Sequence, residues 1–546
     1  MIYNNKTVDN YLNYMQKFQI HSLLAKVIAF KEYDDSTVER LFSKDFIYHP
    51  FDDFLEGEMA IERIEEAIES KEKICIYGDY DCDGVLATAI LVDAFKQRNV
   101  EVGYFIPDRH SDGYGLTKKR VQQIYEKGYT LIITVDNGVK AFEAIDKANE
   151  LGIDVIVTDH HSLDEENYID AYCLIHTQIS PDYSFKPISG GFIAYKLAHA
   201  LLQKHDKYLY SLAAITTISD MMPLLDENRA VVKYGCMFME EGKYLPLELL
   251  LEGKGKYDVQ NIGFSIAPKI NAVGRMPELM APHILVKYFV RGSDQNFLQA
   301  VLAKMKSINT QRQNLTTSQY QKVMDKVDHS SSFLYCYEEE IHLGIIGLVA
   351  GRYTRSYYRP SFVMHYDEKT NSYKGSARGI KEASLNEIFD YCKDYLIGYG
   401  GHQLAGGFSV SKENLEPLKN KIQHFMDKID MEKLEPTTDV LEITVNDLTI
   451  HGIKELNYLQ PLGQSNEEVL FYIRDLPIEQ CILLKDGKHL KYVVMTPSGK
   501  LELLYFNIAD EVEVLKNKTS INVVGKLQIQ TYRNVDTMNM IIDRII

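Results

Sequence analysis

Short apolar runs recur through the first third of the chain, at 73–77, 101–107, 131–136, 154–158 and 171–176. The segments between them, such as Val85 to Arg98 and Lys140 to Leu151, carry apolar residues at helical spacing. That alternation predicts right-handed crossovers and a mostly parallel sheet covered on both faces. Ahead of it, Met59-Ala60-Ile61-Glu62-Arg63-Ile64-Glu65-Glu66-Ala67-Ile68 has the spacing of an amphipathic helix, and residues 1–70 read as a helical lead-in to the first lobe. Between Ser293 and Leu343 there is no Gly or Pro, and Leu298, Val301, Leu302, Met305, Ile308 and Leu315 follow a near i, i+3, i+4 pattern. The spacing predicts one long connecting helix, with the polar run Asn309 to Asn314 on its solvated face.

Farther along, apolar runs at Phe333 to Tyr337 and Ser361 to His365 alternate with helix-like segments, which predicts a second α/β lobe over 331–430. After about residue 430 the period changes to two. Runs at 478–484, 489–495, 501–506, 521–529 and 538–546, punctuated by Asp486-Gly487 and Pro497-Ser498-Gly499, predict five strands. Five strands in so short a stretch fit a small closed barrel of the OB type, which binds single strands by aromatic stacking in a basic groove. Tyr492, Tyr505, Phe506, Tyr532 and Arg533 are the candidates for that contact. The expected architecture is therefore α/β with a C-terminal β-barrel, in four parts: a mostly parallel-sheet catalytic lobe at 1–292, a connecting helix at 293–330, a second α/β lobe at 331–430 and an OB-like domain at 431–546.

Composition narrows the function. A chain of 546 residues, 45% hydrophobic and 25% charged, belongs to a soluble multidomain protein. It has no long apolar run, and Met1-Ile2-Tyr3-Asn4-Asn5-Lys6 lacks a signal-peptide pattern, so a cytoplasmic location is expected. Seven cysteines are scattered singly, which argues against a disulfide framework and against a zinc site. A net charge of −17 counts against a broad nucleic-acid surface but leaves room for a local basic groove and for bound cations.

Candidate chemistry gathers where the predicted parallel strands end, which is where ligands bind in such sheets. The first run leads into Asp79-Tyr80-Asp81-Cys82-Asp83-Gly84, whose closely spaced carboxylates repel one another unless solvated or neutralised by a hard divalent cation. The second ends in Pro107-Asp108-Arg109-His110-Ser111-Asp112-Gly113-Tyr114-Gly115, a glycine-containing loop suited to a phosphate. The third ends in Asp136-Asn137-Gly138, and the fourth in Asp159-His160-His161. Three acidic strand exits in register, one with paired histidines, point to a metal-bearing active site.

These motifs, together with Ile218-Ser219-Asp220, resemble those of the DHH phosphoesterase superfamily. Ile266-Ala267-Pro268-Lys269-Ile270-Asn271-Ala272-Val273-Gly274-Arg275-Met276, Gly344 to Arg352 and Gly400-Gly401-His402-Gln403-Leu404-Ala405-Gly406-Gly407 narrow the resemblance to its single-stranded-DNA exonucleases, over nearly the whole chain. Phe192, in Ser189-Gly190-Gly191-Phe192, departs from the small hydrophobic residue usual there. The resemblance implies two Mn²⁺ or Mg²⁺ ions and hydrolysis of single-stranded DNA from its 5′ end to mononucleotides, in DNA repair and recombination. Asp136 would bridge the ions, Asp81 would hold one, and Asp83, His160 and Asp220 the other. His161 would sit at the scissile phosphate, as a structural histidine or as a donor to the oxyanion. Asp79 and Asp159 are either ligands or orient them. Arg109, Arg275, Ser376, Arg378 and His402 are the implied substrate-binding residues. The implied partners are single-stranded DNA with a 5′ end, a single-strand-binding protein and a helicase, and no membrane. The alternatives are an enzyme of the same superfamily acting on very short RNA or cyclic dinucleotides, and a non-catalytic replisome scaffold.

Overall fold

The computed structural model describes residues 2–546 apart from 44–45, 110–114, 164–167, 254, 325–326, 328–330, 339, 369, 431–434, 486–487 and 509–511. His110 to Tyr114 of the glycine loop and the Asp486-Gly487 turn thus lie outside the described residues. The chain forms two compact units, one of residues 48–222 and 227–434, the other of residues 1–47, 223–226 and 435–546.

The first unit opens with a five-stranded, all-parallel sheet in the order Gly103–Phe105, Ile74–Tyr77, Leu131–Val135, Asp154–Thr158, Cys173–Ile175. Its central strands are apolar and buried throughout because helices cover both faces. Helix Cys82–Gln97, which leaves the first strand, is buried over nearly its full length and packs against Gly190–Leu202 and Lys207–Ser219. The expected connecting helix runs Gln295–Met324 and packs against Ala267–Arg275 on one side and Ile346–Tyr357 on the other. Beyond it lies a second five-stranded sheet, ordered Gly398–His402, Ala405–Ser411, Ser372–Arg378, Ser361–Asp367, Leu334–Glu338, antiparallel except for its last pair. An apolar core of its own, including Phe362, Leu385, Phe389 and Val410, holds it together.

The second unit corrects two expectations. Its sheet has eight strands rather than five, because Thr437–Glu442, Phe471–Pro477 and the N-terminal Ile2–Lys6 join the five read from the period. Ile2–Lys6 pairs parallel with Thr437–Glu442. The lead-in accordingly does not belong wholly to the first lobe. Helix Ser22–Phe30 buries Leu23, Leu24, Ala25, Val27, Ile28 and Ala29, and most of these pack with Leu441, Phe471, Tyr492 and Val523. A helix this apolar must be covered on several sides, and helices Tyr11–Phe18 and Ile450–Glu455 together with the strand Thr437–Glu442 pack against it. Lys26 seals the contact through both oxygens of Asp447, each at 2.8 Å. Only the helix Gly57–Glu69 precedes the first core strand as read. Tyr492 is fully buried, its hydroxyl donating to the Leu515 carbonyl at 2.6 Å, so it is core and not a candidate for stacking. Tyr532, in contrast, is 67% exposed at the tip of the hairpin Ser520–Tyr532/Val535–Ile545, with the Arg533 guanidinium over its ring.

Candidate active site

The first apolar strand ends at Tyr77, and the chain turns through Asp79 into helix Cys82–Gln97. Asp81 caps that helix, accepting from the backbone N–H groups of Asp83 at 2.9 Å and Gly84 at 3.1 Å. The turn is so tight that a Cβ on Gly84 would lie 2.5 Å from the Asp79 nitrogen, which is why glycine ends the motif. Asp83 is buried and accepts from the N–H groups of Gly190 and Gly191 at 2.8 and 2.7 Å, at the start of helix Gly190–Leu202. Burial and the neighbouring Asp81 still push its carboxyl up to about 7.

Asp136 leaves its strand in the left-handed region, at φ 61, and is anchored by its N–H to the Thr158 carbonyl. A Cβ on Gly190 would lie 2.6 Å from the Asp136 Cβ, so two chain segments meet there in contact. Burial and the charges of Asp83, Asp81 and Asp220 raise Asp136 well above the usual carboxylate range. Burial and Asp81 do the same to Asp79, whose Oδ1 is buried without a hydrogen-bond partner. Asp220, at the end of helix Lys207–Ser219, is raised by burial and by Asp83 and Asp81. Four carboxylates are therefore raised around one small volume.

The histidines divide by environment. His160 Nε2 lies 3.1 Å from Asp136 Oδ1, 3.5 Å from Asp220 Oδ2 and 3.8 Å from Asp83 Oδ2. Burial and the adjacent His161 hold its pKa down to about 3, so the ring is neutral and offers a lone pair. For His161 burial acts downward but is outweighed by Asp159, whose Oδ1 lies 2.7 Å from Nδ1 and lifts it to about 9. Asp159 belongs to none of the candidate ligand sets among the described residues. It accepts from the N–H groups of Val139, His160 and His161 and, despite burial, is held well below the usual range by the His161 contact. Its side chain thus holds the His161 ring and the backbone of both histidines.

Three sets of side chains present ligand atoms within 4.8 Å of one another: Asp79, Asp81 and Asp136; Asp83, His160 and Asp220; and Asp136, His160 and His161. Oxygen-rich sets with a neutral imidazole suit hard or borderline divalent cations. The raised carboxylates and the unpartnered Asp79 oxygen have what such cations would satisfy, so the residues fit the metals. Asp136 belongs to two of the three sets.

Beside the carboxylates lies a cluster of the opposite sign. Arg275, at the C-terminus of helix Ala267–Arg275, donates to the Gly344 carbonyl at 3.3 Å. Burial and the charges of Arg109, Arg312 and Arg378 lower it to about 10. Arg378 donates to the Ser376 hydroxyl at 3.1 Å and to the Ala377 carbonyl at 2.8 Å. Arg109 lies over the Tyr80 ring, 5.2 Å from its centre. None of these four guanidinium groups makes an ion pair with a carboxylate among the described residues. The sequence reading missed Arg312, placing it on a solvated stretch. The signal was present, since Met305, Ile308 and Arg312 follow i, i+3, i+7 and share the packed face, the first two being fully buried. His402 stands on the exposed strand Gly398–His402, near enough to His161 for that residue to lower its pKa along with burial.

A parallel sheet whose strand ends collect aspartates and paired histidines, joined by a long helix to a second lobe carrying arginines, defines a phosphoesterase of the DHH class. Residues 73–219 match the model of the DHH family, N-terminal domain, residues 330–428 the DHHA1 domain, and residues 440–544 the RecJ OB domain. The chain is 32% identical over 543 residues to the single-stranded-DNA-specific exonuclease RecJ of Bacillus subtilis, covering 96% of this chain and 68% of that one, and it belongs to the RecJ family. RecJ of Thermus thermophilus is 30% identical over 79% of this chain and 63% of its own length. The crystal structure of RecJ from Thermus thermophilus in complex with Mn²⁺ superposes with a TM-score of 0.84, at 25% identity, over 100% of this chain and 79% of that one. Among the described residues no helix is long and apolar enough to cross a membrane.

Proposed function

We propose that this protein is a metal-dependent exonuclease that hydrolyses single-stranded DNA from its 5′ end to 5′-mononucleotides. The observation that carries the reading is the juxtaposition of the carboxylate–histidine cluster with arginines that pair with no carboxylate among the described residues, close enough for Asp81 to act on Arg275 and Arg109 on Asp79. One cluster calls for cations and the other for phosphate.

Asp81 and Asp79 would hold one Mn²⁺ or Mg²⁺ ion, Asp83, His160 and Asp220 a second, and Asp136 would bridge them. Bound there, the ions supply charge neutralisation at the scissile phosphate and a water of lowered pKa. The chain supplies the positioning. His161, aimed by Asp159, donates to an oxygen of the scissile phosphate as negative charge builds there. Arg275 and Arg378 present forked donors to the terminal 5′ phosphate, Ser376 completes the grip, and Arg109 closes it from the loop. Direction follows from that grip, since the metal chemistry is indifferent to polarity. His402 contacts the strand from the second lobe. The OB unit holds the trailing strand, and Tyr532 and Arg533 are its exposed stacking pair. A single-strand-binding protein and a helicase are the partners that would deliver such a strand.

Incubation with 5′- and 3′-labelled oligonucleotides, single- and double-stranded, DNA and RNA, with and without chelator, tests the reading. Release of labelled mononucleotide first from the 5′ end of single-stranded DNA, abolished by chelator, is expected. Release first from the 3′ end, or chelator-resistant release, overturns it.

A further inference from the structure

Residues Ile262–Ile266 form one π-helical turn inside a helical run that begins at Val259 and ends at Arg275. Turns of this kind are rare and concentrate at functional sites, since the widened ring is poorer in hydrogen bonding than the α-helix it interrupts. Ile262 and Ile266 are fully buried, so the turn is anchored at both ends, while Phe264 between them is 82% exposed. A phenyl ring held in water forgoes one of the larger gains available to a side chain on folding. Its exposure is imposed by a packed backbone and is not the fraying of a loose end.

The position of the turn gives the exposure meaning. Gly263 lies against Ile218, two residues before Asp220, such that an added Cβ would be 3.6 Å from the Ile218 side chain. Met221, the next residue after Asp220, is held in the left-handed region at φ 55 and is 67% exposed. Two apolar side chains thus enter solvent at the shoulder of the ligand cluster. The rest of the helical run follows the site: the Asn271 side-chain oxygen accepts from the N–H of Cys82, inside the aspartate motif, at 2.8 Å, and Arg275 ends the run among the arginines. Phe264 and Arg275 are separated by roughly 16 Å of helix at the usual rise per residue.

We propose that Phe264, together with Met221, is a stacking platform for a nucleobase on the 3′ side of the phosphate being cut. The inference rests on the functional reading above. A strand with its 5′ phosphate among the arginines and its scissile phosphate at the carboxylates continues past Asp220, where these two side chains stand. An aromatic face accepts every base, as a nuclease that removes nucleotides in sequence requires, and it holds the strand without hydrogen bonds that would have to be broken at each step. Phe264 is a positioning residue in this reading, since it touches no reacting atom.

The test uses 5′-phosphorylated oligonucleotides carrying one abasic site, moved through the first six nucleotides. Wild-type enzyme is expected to cleave the strand roughly tenfold less efficiently, mainly through KM, when the abasic site falls at one or two particular positions. Phe264→Ala should lower efficiency on the intact strand by a similar factor and lose the dependence on those positions. Phe264→Tyr should keep both, and Met221→Ala should weaken the dependence partially. A merely structural role for Phe264 would lower activity without altering the abasic profile. The inference is overturned by a wild type indifferent to every abasic position, or by a Phe264→Ala enzyme with the wild-type profile. Failure of the wild type to degrade intact single strands would instead count against the functional reading itself.

Discussion

The carboxylate cluster and the arginine cluster are neighbours of opposite sign built in opposite ways. The carboxylates come from strand and helix ends within one lobe and are fixed by the backbone: Asp81 by a helix cap, Asp83 by two glycine N–H groups, Asp136 by a left-handed turn. The arginines reach in from four distant segments, at 109, 275, 312 and 378, and lean on a carbonyl, a ring or an amide oxygen. A metal site needs ligand atoms placed to within a few tenths of an ångström, which short backbone-anchored side chains provide. A phosphate at a moving strand end needs donors that can follow it, and long guanidinium side chains on separate elements can. One region is therefore exacting in position and the other adaptable.

Substitutions should expose that contrast. The largest effect is expected from Asp136→Ala, which removes a carboxylate common to two ligand sets: turnover of single-stranded DNA should fall by roughly a thousandfold or more. Binding of the strand, followed by fluorescence anisotropy, should survive. Substantial metal-dependent activity in a pure preparation would remove Asp136 from the site. Arg275→Ala and Arg378→Ala come next, with losses of roughly a hundredfold on 5′-phosphorylated strands and much smaller losses on 5′-hydroxyl strands. Equal losses on the two substrates would mean that these arginines do not read the terminal phosphate. Arg312→Ala should cost roughly tenfold or less on the phosphorylated strand, because three guanidinium groups remain. A loss matching that of Arg275 would make Arg312 a direct phosphate ligand.

The smallest effect is on stability and has a definite sign. Asp83 is raised to about 7, and Asp79, Asp136 and Asp220 are also raised, so these four carboxyls bind more protons in the metal-free fold than in the unfolded chain. Stability contributed in this way is present at the lower pH and is lost as pH climbs from the unfolded value near 4 through about 7. Chelated protein should therefore melt a few degrees lower at about pH 7.5 than at about pH 5.5, and the Tm gain on adding Mn²⁺ should widen over the same range. A gain from Mn²⁺ that does not change with pH would show that the cluster is already ionised without metal.

Legibility in the sequence follows the same division. Asp79 to Gly84, Asp136 and Asp159 to His161 could be read because a parallel sheet delivers the ends of its strands to one rim, so motifs far apart in sequence converge without further information. Arg312 was lost by weighing its polar neighbours above its register with Met305 and Ile308. Tyr492 is a stacking candidate by residue type alone, whereas alternation places it on the inward face of its strand with Leu490 and Val494. The lead-in failed for a different reason. The apolar face of Ser22–Phe30 says that the helix is covered but not by what, and its partner strands lie more than 400 residues farther on.

That long separation has a consequence during synthesis. The N-terminal helices leave the ribosome before any of the other unit, and apart from Ile2–Lys6 the strands of their sheet begin only at Thr437. At ordinary elongation rates the interval is roughly 20–80 s, ample for the intervening unit to fold on its own. Through that time Leu23, Leu24, Val27 and Ile28 lack the strands that cover them and have only neighbouring N-terminal side chains such as Val38 and Leu41 to pack against. Nascent chains stalled before Thr437 should be recognised by chaperones through this helix, and chains released there should aggregate through it, even when the catalytic unit is already complete.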